Sequence, residues 1–251
     1  MNTSEMNAEN TLLPLALLAL GKTGADVERM VRKVRRTARR SGRAVSWADL
    51  ENALLAGQAD MSADLRRRAA VHEAGHAVVY TVTGVAAVQS ASIGLHGIGM
   101  VTTTPNASLP QNETWLMNSV ACLLAGRAAE LTVIGEALAG GGGADESDLA
   151  RATAMALAAE TSLGFSGHQP LLYRSATMGT NELALDRQLA ERVNRRLENA
   201  EAIARRIIDE NRRAVEDVAA QLDDVGVMSG DEVRQLVGRP MDVIQPSNAP
   251  P

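Results

Sequence analysis

Residues 71–79, Val71-His72-Glu73-Ala74-Gly75-His76-Ala77-Val78-Val79, constrain this chain more than any other stretch. They hold an H-E-x-x-H pattern inside a helical pattern. Two histidines at i and i+4 stand one above the other on a helix face, so their imidazoles can share one tetrahedral metal ion. Glu73, one residue after the first histidine, is placed to reach a water at that metal and take its proton. The residues after His76 are small and apolar, as a buried helix requires. The pattern points to a zinc hydrolase, with His72 and His76 as ligands of Zn2+ and Glu73 as the general base.

A catalytic zinc usually has three protein ligands and an open position for water. A third histidine six residues after His76 is ruled out, because Val82 stands there. The other common solution is a carboxylate from a later helix. Glu130, Asp145, Glu146, Asp148 and Glu160 are the candidates, and spacing does not separate them. His96 and His168, the remaining histidines, read as surface residues of a loop or strand.

Around this motif the chain reads as mainly α with a small β element. Aromatic residues are only 2% of its 251 residues, so the core must come from Ala, Leu, Val, Ile and Met, which favours close-packed helices. Residues 1–11 and 241–251 read as disordered. A helical segment over Leu12 to Leu20 is followed by the capping-box pattern Thr23-Gly24-Ala25-Asp26, which predicts a helix to about Arg40. Eight basic residues between Arg29 and Arg43 lie off its apolar stripe of Val27, Val31, Val34 and Ala38, as a solvated face does. Ser46 caps a short helix to about Leu55, and residues 57–61 read as a linker. The motif helix is expected from Ser62 to Thr83, with Gly84 as its C-cap. Alternating Val, Ile, Ser and Thr among glycines over 85–104 predict two or three short strands. Helices are expected over 112–135, from 145–147 to 164, over 182–211, over 212–222 and, capped by Ser229, over 231–237.

A net charge of −5 gives no reason to expect nucleic acid as a partner. The lone cysteine, Cys122, sits in an apolar run and reads as a core residue. With no disulfide possible, no secretory signal and no apolar run at the N-terminus long enough to span a bilayer, a cytoplasmic protein without a membrane span is expected.

Several motifs beyond the histidines together resemble the peptidase domain of FtsH-type AAA metalloproteases. They are Leu124-Ala125-Gly126-Arg127-Ala128-Ala129-Glu130, Gly143-Ala144-Asp145-Glu146-Ser147-Asp148-Leu149-Ala150-Arg151, Leu163-Gly164-Phe165-Ser166 and Glu210-Asn211-Arg212-Arg213. The likeness covers about residues 62–238, within a domain taken as 61–240. It implies that Asp148 is the third ligand, and a carboxylate at a helix start also suits the helix dipole. Glu130 and Arg127 then read as a helix pair or as support for a ligating histidine. Gly97, Ile98, Gly99, Met100 and Val101 resemble the edge strand along which such proteases bind extended substrate.

Residues 12–60 resemble the helical lid of an AAA module, through Thr23-Gly24-Ala25-Asp26-Val27-Glu28 and Trp47-Ala48-Asp49-Leu50. No G-x-x-x-x-G-K-[ST] loop precedes them; Gly21-Lys22-Thr23 copies only its end, with Ala16 where its first glycine belongs. Starting at a methionine, the chain reads as a complete frame without the ATPase core or membrane anchor of the family. The expected function is zinc-dependent endopeptidase action on unfolded or flexible protein substrates. The alternative is a non-catalytic subunit that co-assembles with a full-length AAA metalloprotease. The resemblance implies a homo-oligomer such as a six-membered ring, and an AAA motor or full-length relative as a partner in trans.

Overall fold

The computed structural model describes residues 12, 15–16, 18–19, 22–56, 61–93, 99–174 and 182–238. Residues 1–11, the 57–60 stretch of the linker, His96, Gly97, Ile98 and the tail after 238 lie outside the described residues. Two helices come first: α1 (Gly24–Arg40), closed by the Thr23–Asp26 capping box, and α2 (Trp47–Leu55), closed by a Ser46–Asp49 box. They pack against each other, and Val34, Ala38 and Leu54 are buried.

The motif helix is α3 (Ala63–Thr83). Ser62 accepts a hydrogen bond from the Leu65 N–H at its start, and Gly84 ends it in the left-handed region. The continuous run Ala69–Val79 is buried, histidines and glutamate included. A helix enclosed on all sides needs small neighbours at its crossings. At Gly75 a Cβ would stand 2.5 Å from the Ala125 carbonyl oxygen and 2.6 Å from the Ala129 Cβ. The glycine thus sets how closely α4 (Glu113–Ala129) can approach, and any larger side chain would drive the two helices apart.

β1 (Ala86–Ile93) and β2 (Gly99–Pro105) form an antiparallel pair from Ala86 opposite Pro105 to Ile93 opposite Gly99, with a bulge between Val88 and Ser90. A third strand, β3 (Val227–Ser229), pairs with the other side of β1 and gives the order β2-β1-β3. The sequence gives no sign of β3, because three residues between two helices carry no readable alternation.

After α4 the backbone widens into one π turn, Glu130–Ile134, where a continuous helix to Gly135 was expected. By length and composition the stretch Glu113–Ile134 is long enough to cross a membrane, but over half of it is buried within the protein, as a core helix is. Then come α5 (Asp148–Thr161), α6 (Glu182–Leu185), α7 (Arg187–Glu210), α8 (Arg212–Val225) and α9 (Gly230–Val237). The expected helix over 182–211 breaks at Asp186, whose side chain instead caps α7 by accepting from the Leu189 N–H. Around α3, helices α4 and α8 and strand β1 supply the packing, and α4 is backed by α5 and α7. Bundle on one side and sheet on the other leave the face of α3 that bears His72, Glu73 and His76 turned toward β2 and the start of α5.

Candidate metal centre

Helical phase puts His72 and His76 on one face, with ring centroids 4.8 Å apart. What orients them comes from elsewhere. His76 Nδ1 lies 2.7 Å from the Cys122 carbonyl oxygen of α4. A carbonyl only accepts, so this nitrogen carries the proton and Nε2 keeps its lone pair. His72 Nδ1 donates in the same way to Glu130 Oε1 at 2.6 Å, while the other oxygen of Glu130 accepts from the Leu138 N–H at 2.5 Å. The π turn aims this carboxylate inward; such turns recur at functional sites.

Both Nε2 atoms therefore face inward. They lie 3.1 Å apart, and Asp148 Oδ2 stands 3.1 Å from that of His76 and 3.4 Å from that of His72. Asp148 is the first residue of α5, held there by Ser147, whose hydroxyl accepts from the Ala150 N–H. Three electron-pair donors converging at such distances repel each other unless a proton or a metal cation sits among them. Tetrahedral zinc with bonds of ~2.0–2.1 Å would need its ligand atoms roughly 3.3 Å apart, so this donor set fits Zn2+. Among the described residues, His72, His76 and Asp148 are the cluster of this kind.

Electrostatics agree. Burial alone would depress the His72 imidazole, but Asp148, Glu130 and the nearby Glu73 outweigh it and push it up to about 10. Burial likewise would raise Asp148, yet the two histidines hold it well below the usual carboxylate range. A field that holds a proton so firmly also favours a metal cation. Glu73, 5% exposed, is raised by burial, against the pull of His76 and His72. It lies beneath the start of β2, where a Cβ at position 99 would come within 2.5 Å of its Cγ. A cleft of about 280 Å³ opens here, lined by Glu73, His76, Tyr80, Met100, Leu123 and Asp148 among others.

The other carboxylate candidates go elsewhere. Asp145 and Glu146 are exposed, and although Glu146 lines the cleft, neither joins the donor cluster. Glu160 is buried, but it accepts from Ser166 Oγ, Arg192 Nε and Arg196 Nε, an ion cluster that ties α5 to α7. Glu130 supports His72, whereas Arg127 pairs with Glu201 and not with Glu130. Cys122 is fully buried, its thiol pushed up to about 12 by burial. His168 is exposed. Of the edge-strand residues, Gly99, Met100 and Val101 border the cleft.

Sequence reasoning missed the Cys122 carbonyl and the clearance at Gly126. A backbone acceptor has no signature in residue type. At Gly126 a Cβ would stand 2.5 Å from both Cδ2 and Cε1 of His72, so the imidazole rests on bare backbone of α4. Gly126→Ala is expected to displace that ring and weaken zinc binding by roughly 10–100-fold, the cost typical of disturbing an orienting contact. Competition with a chromogenic chelator measures this; unchanged affinity would show that the ring moves aside freely.

The chain matches the model of Peptidase family M41 over residues 59–236. It is 31% identical over 242 residues to the ATP-dependent zinc metalloprotease FtsH 1 of Sorangium cellulosum, covering 86% of this chain and 38% of that protein. It is 32% identical over 250 residues to the ATP-dependent zinc metalloprotease FtsH of Acidothermus cellulolyticus, covering 88% of this chain and 36% of that protein. The protein of the same name from Thermotoga maritima is 28% identical, with 89% and 40% covered. The chain thus spans well under half the length of these relatives.

Proposed function

The chain belongs to peptidase family M41, and on that premise we propose that it is a metalloendopeptidase cutting unfolded or flexible protein segments. Peptide-bond hydrolysis and Zn2+ come with the family and its zinc metalloprotease relatives. The unfolded substrate, action without ATP and self-association are the proposal.

The observation that carries it is the convergence of His72, His76 and Asp148 with Glu73 buried beside them. These three residues would hold Zn2+, which when bound polarises a scissile carbonyl and acidifies water. Glu73 takes the proton of the attacking water and returns it to the leaving amine. Its burial favours the neutral carboxyl, so a proton once taken is held until the amine needs it. β2 is the outer strand of the sheet, and its free edge leads into the cleft at Gly99, Met100 and Val101. A segment pairing there contributes main-chain hydrogen bonds, which select for extension more than for sequence. That supports substrates which arrive already unfolded, alone or through an unfolding motor in trans.

Zinc content measured together with casein cleavage, with and without ATP, tests this reading. Cleavage without ATP that depends on Glu73 is the expected result. Bound zinc with no cleavage in either condition would favour the non-catalytic subunit instead. Light scattering tests self-association, and a monomer at all concentrations would remove that part.

A further inference from the structure

Helix α3 carries one more polar group on the stripe that bears the metal donors. Tyr80 follows His76 by four residues and Glu73 by seven, so it shares their face. Long helical side chains lean toward the helix N-terminus, which brings the phenol back over the turn of His76. It lines the same cleft as Glu73, His76 and Asp148. At 1.5 Å per residue, Glu73 and Tyr80 are separated by roughly 10 Å along the axis. His76 lies between them, so the phenol stands beyond the His76 end of the donor triangle, on the side away from Glu73.

The state of the hydroxyl is informative. Tyr80 is partly buried against the core, yet its oxygen is not among the buried polar atoms that lack a partner. No described residue hydrogen-bonds to it, so the hydroxyl keeps access to solvent on a residue that lines the cleft. Burial, with smaller contributions from Cys122 and Asp148 against Arg151, pushes its ionisation up to about 12, which leaves it a donor at neutral pH. The carboxylates of Glu73, Glu146 and Asp148 in this cleft are acceptors. Arg151 can donate, but its side chain is 59% exposed and drawn toward Asp148 Oδ1 at 4.0 Å. Ser147 and Thr103 also bring hydroxyls to the cleft, at the start of α5 and on β2; Tyr80 is the side-chain donor carried by the motif helix itself.

We infer that Tyr80 is a catalytic residue of this site, whose hydroxyl donates a hydrogen bond to the scissile carbonyl oxygen as negative charge gathers there, on the far side of His76 from Glu73. The phenol keeps its proton throughout, and Glu73 handles the proton of the attacking water. A fixed donor aimed at developing charge acts on the transition state more than on bound substrate. The inference rests on the peptidase reading.

Tyr80→Phe in the zinc-loaded full chain retains the ring and its packing and removes only the donor. The expected result on a fluorogenic peptide is a fall in kcat of about 100-fold with little change in KM. Affinity for a phosphinic peptide, whose tetrahedral oxygen mimics the charged carbonyl oxygen, should fall with it, while zinc content and thermal unfolding stay as in the unaltered chain. Turnover within about twofold of the unaltered chain, or a loss confined to KM, overturns the assignment. Glu73→Gln assayed in parallel separates the two levels. If the unaltered chain shows no Glu73-dependent cleavage and no phosphinic-peptide binding, the peptidase reading fails and this inference fails with it.

Discussion

Glu73→Gln is expected to lower peptide-bond hydrolysis by roughly 10²–10⁴-fold, the range a general base contributes, and to leave zinc content unchanged. The substitution is nearly isosteric. The Glu73 side chain lies buried beneath β2, where Gly99 offers no Cβ to displace it, so an amide of the same shape has room. It makes no contact that holds the Asp148 end of the cluster, and the Nδ1 anchors of His72 and His76 are Glu130 and the Cys122 carbonyl. Zinc binding should therefore survive while the group able to take a proton is gone. Metal analysis and cleavage of casein or a fluorogenic peptide on the same preparation check both halves. Full activity in the variant would place the base elsewhere; loss of zinc would make Glu73 part of the cage.

The second large effect separates two carboxylates that chain position alone leaves equivalent. Asp148→Asn removes the oxygen charge lying 3.1 and 3.4 Å from the two inward Nε2 atoms. It should reduce zinc affinity well beyond the roughly 10–100-fold typical of an outer contact, and activity should go with it. Glu130→Gln keeps an acceptor near His72 Nδ1 at reduced charge, so its loss should stay within that range. Competition against a chelator of known affinity ranks the two. The reverse order, with Glu130→Gln the more damaging, would make Glu130 the ligand and Asp148 its support.

Residues 72, 73 and 76 were readable because helical phase is local: a spacing of four fixes which side chains share a face, whatever surrounds the helix. The same locality made the capping residues Thr23, Ser46, Ser62 and Ser229 visible, since each hydrogen-bonds within its own first turn. It also made the predominance of helix legible, because a chain with so few aromatics fills its core by bringing small-sided helices together. The choice of Asp148 came from resemblance and not from spacing.

Local periodicity stops where a contact joins distant segments. Asp148 meets His76 across 72 residues and Glu130 meets His72 across 58, and neither distance in sequence carries a period. The break at Asp186 and the pairing of β3 depend on neighbours packed from elsewhere, as does the π turn that aims Glu130 inward. By itself the sequence determined the helix that presents two imidazoles and a carboxylate on one face. The tertiary structure decided which carboxylate completes the cluster, which acceptors fix the imidazole tautomers, and how closely α4 passes. Those rest on the approach of backbones at Gly75 and Gly126, where bare main chain leaves room for side chains 58 to 76 residues apart to converge.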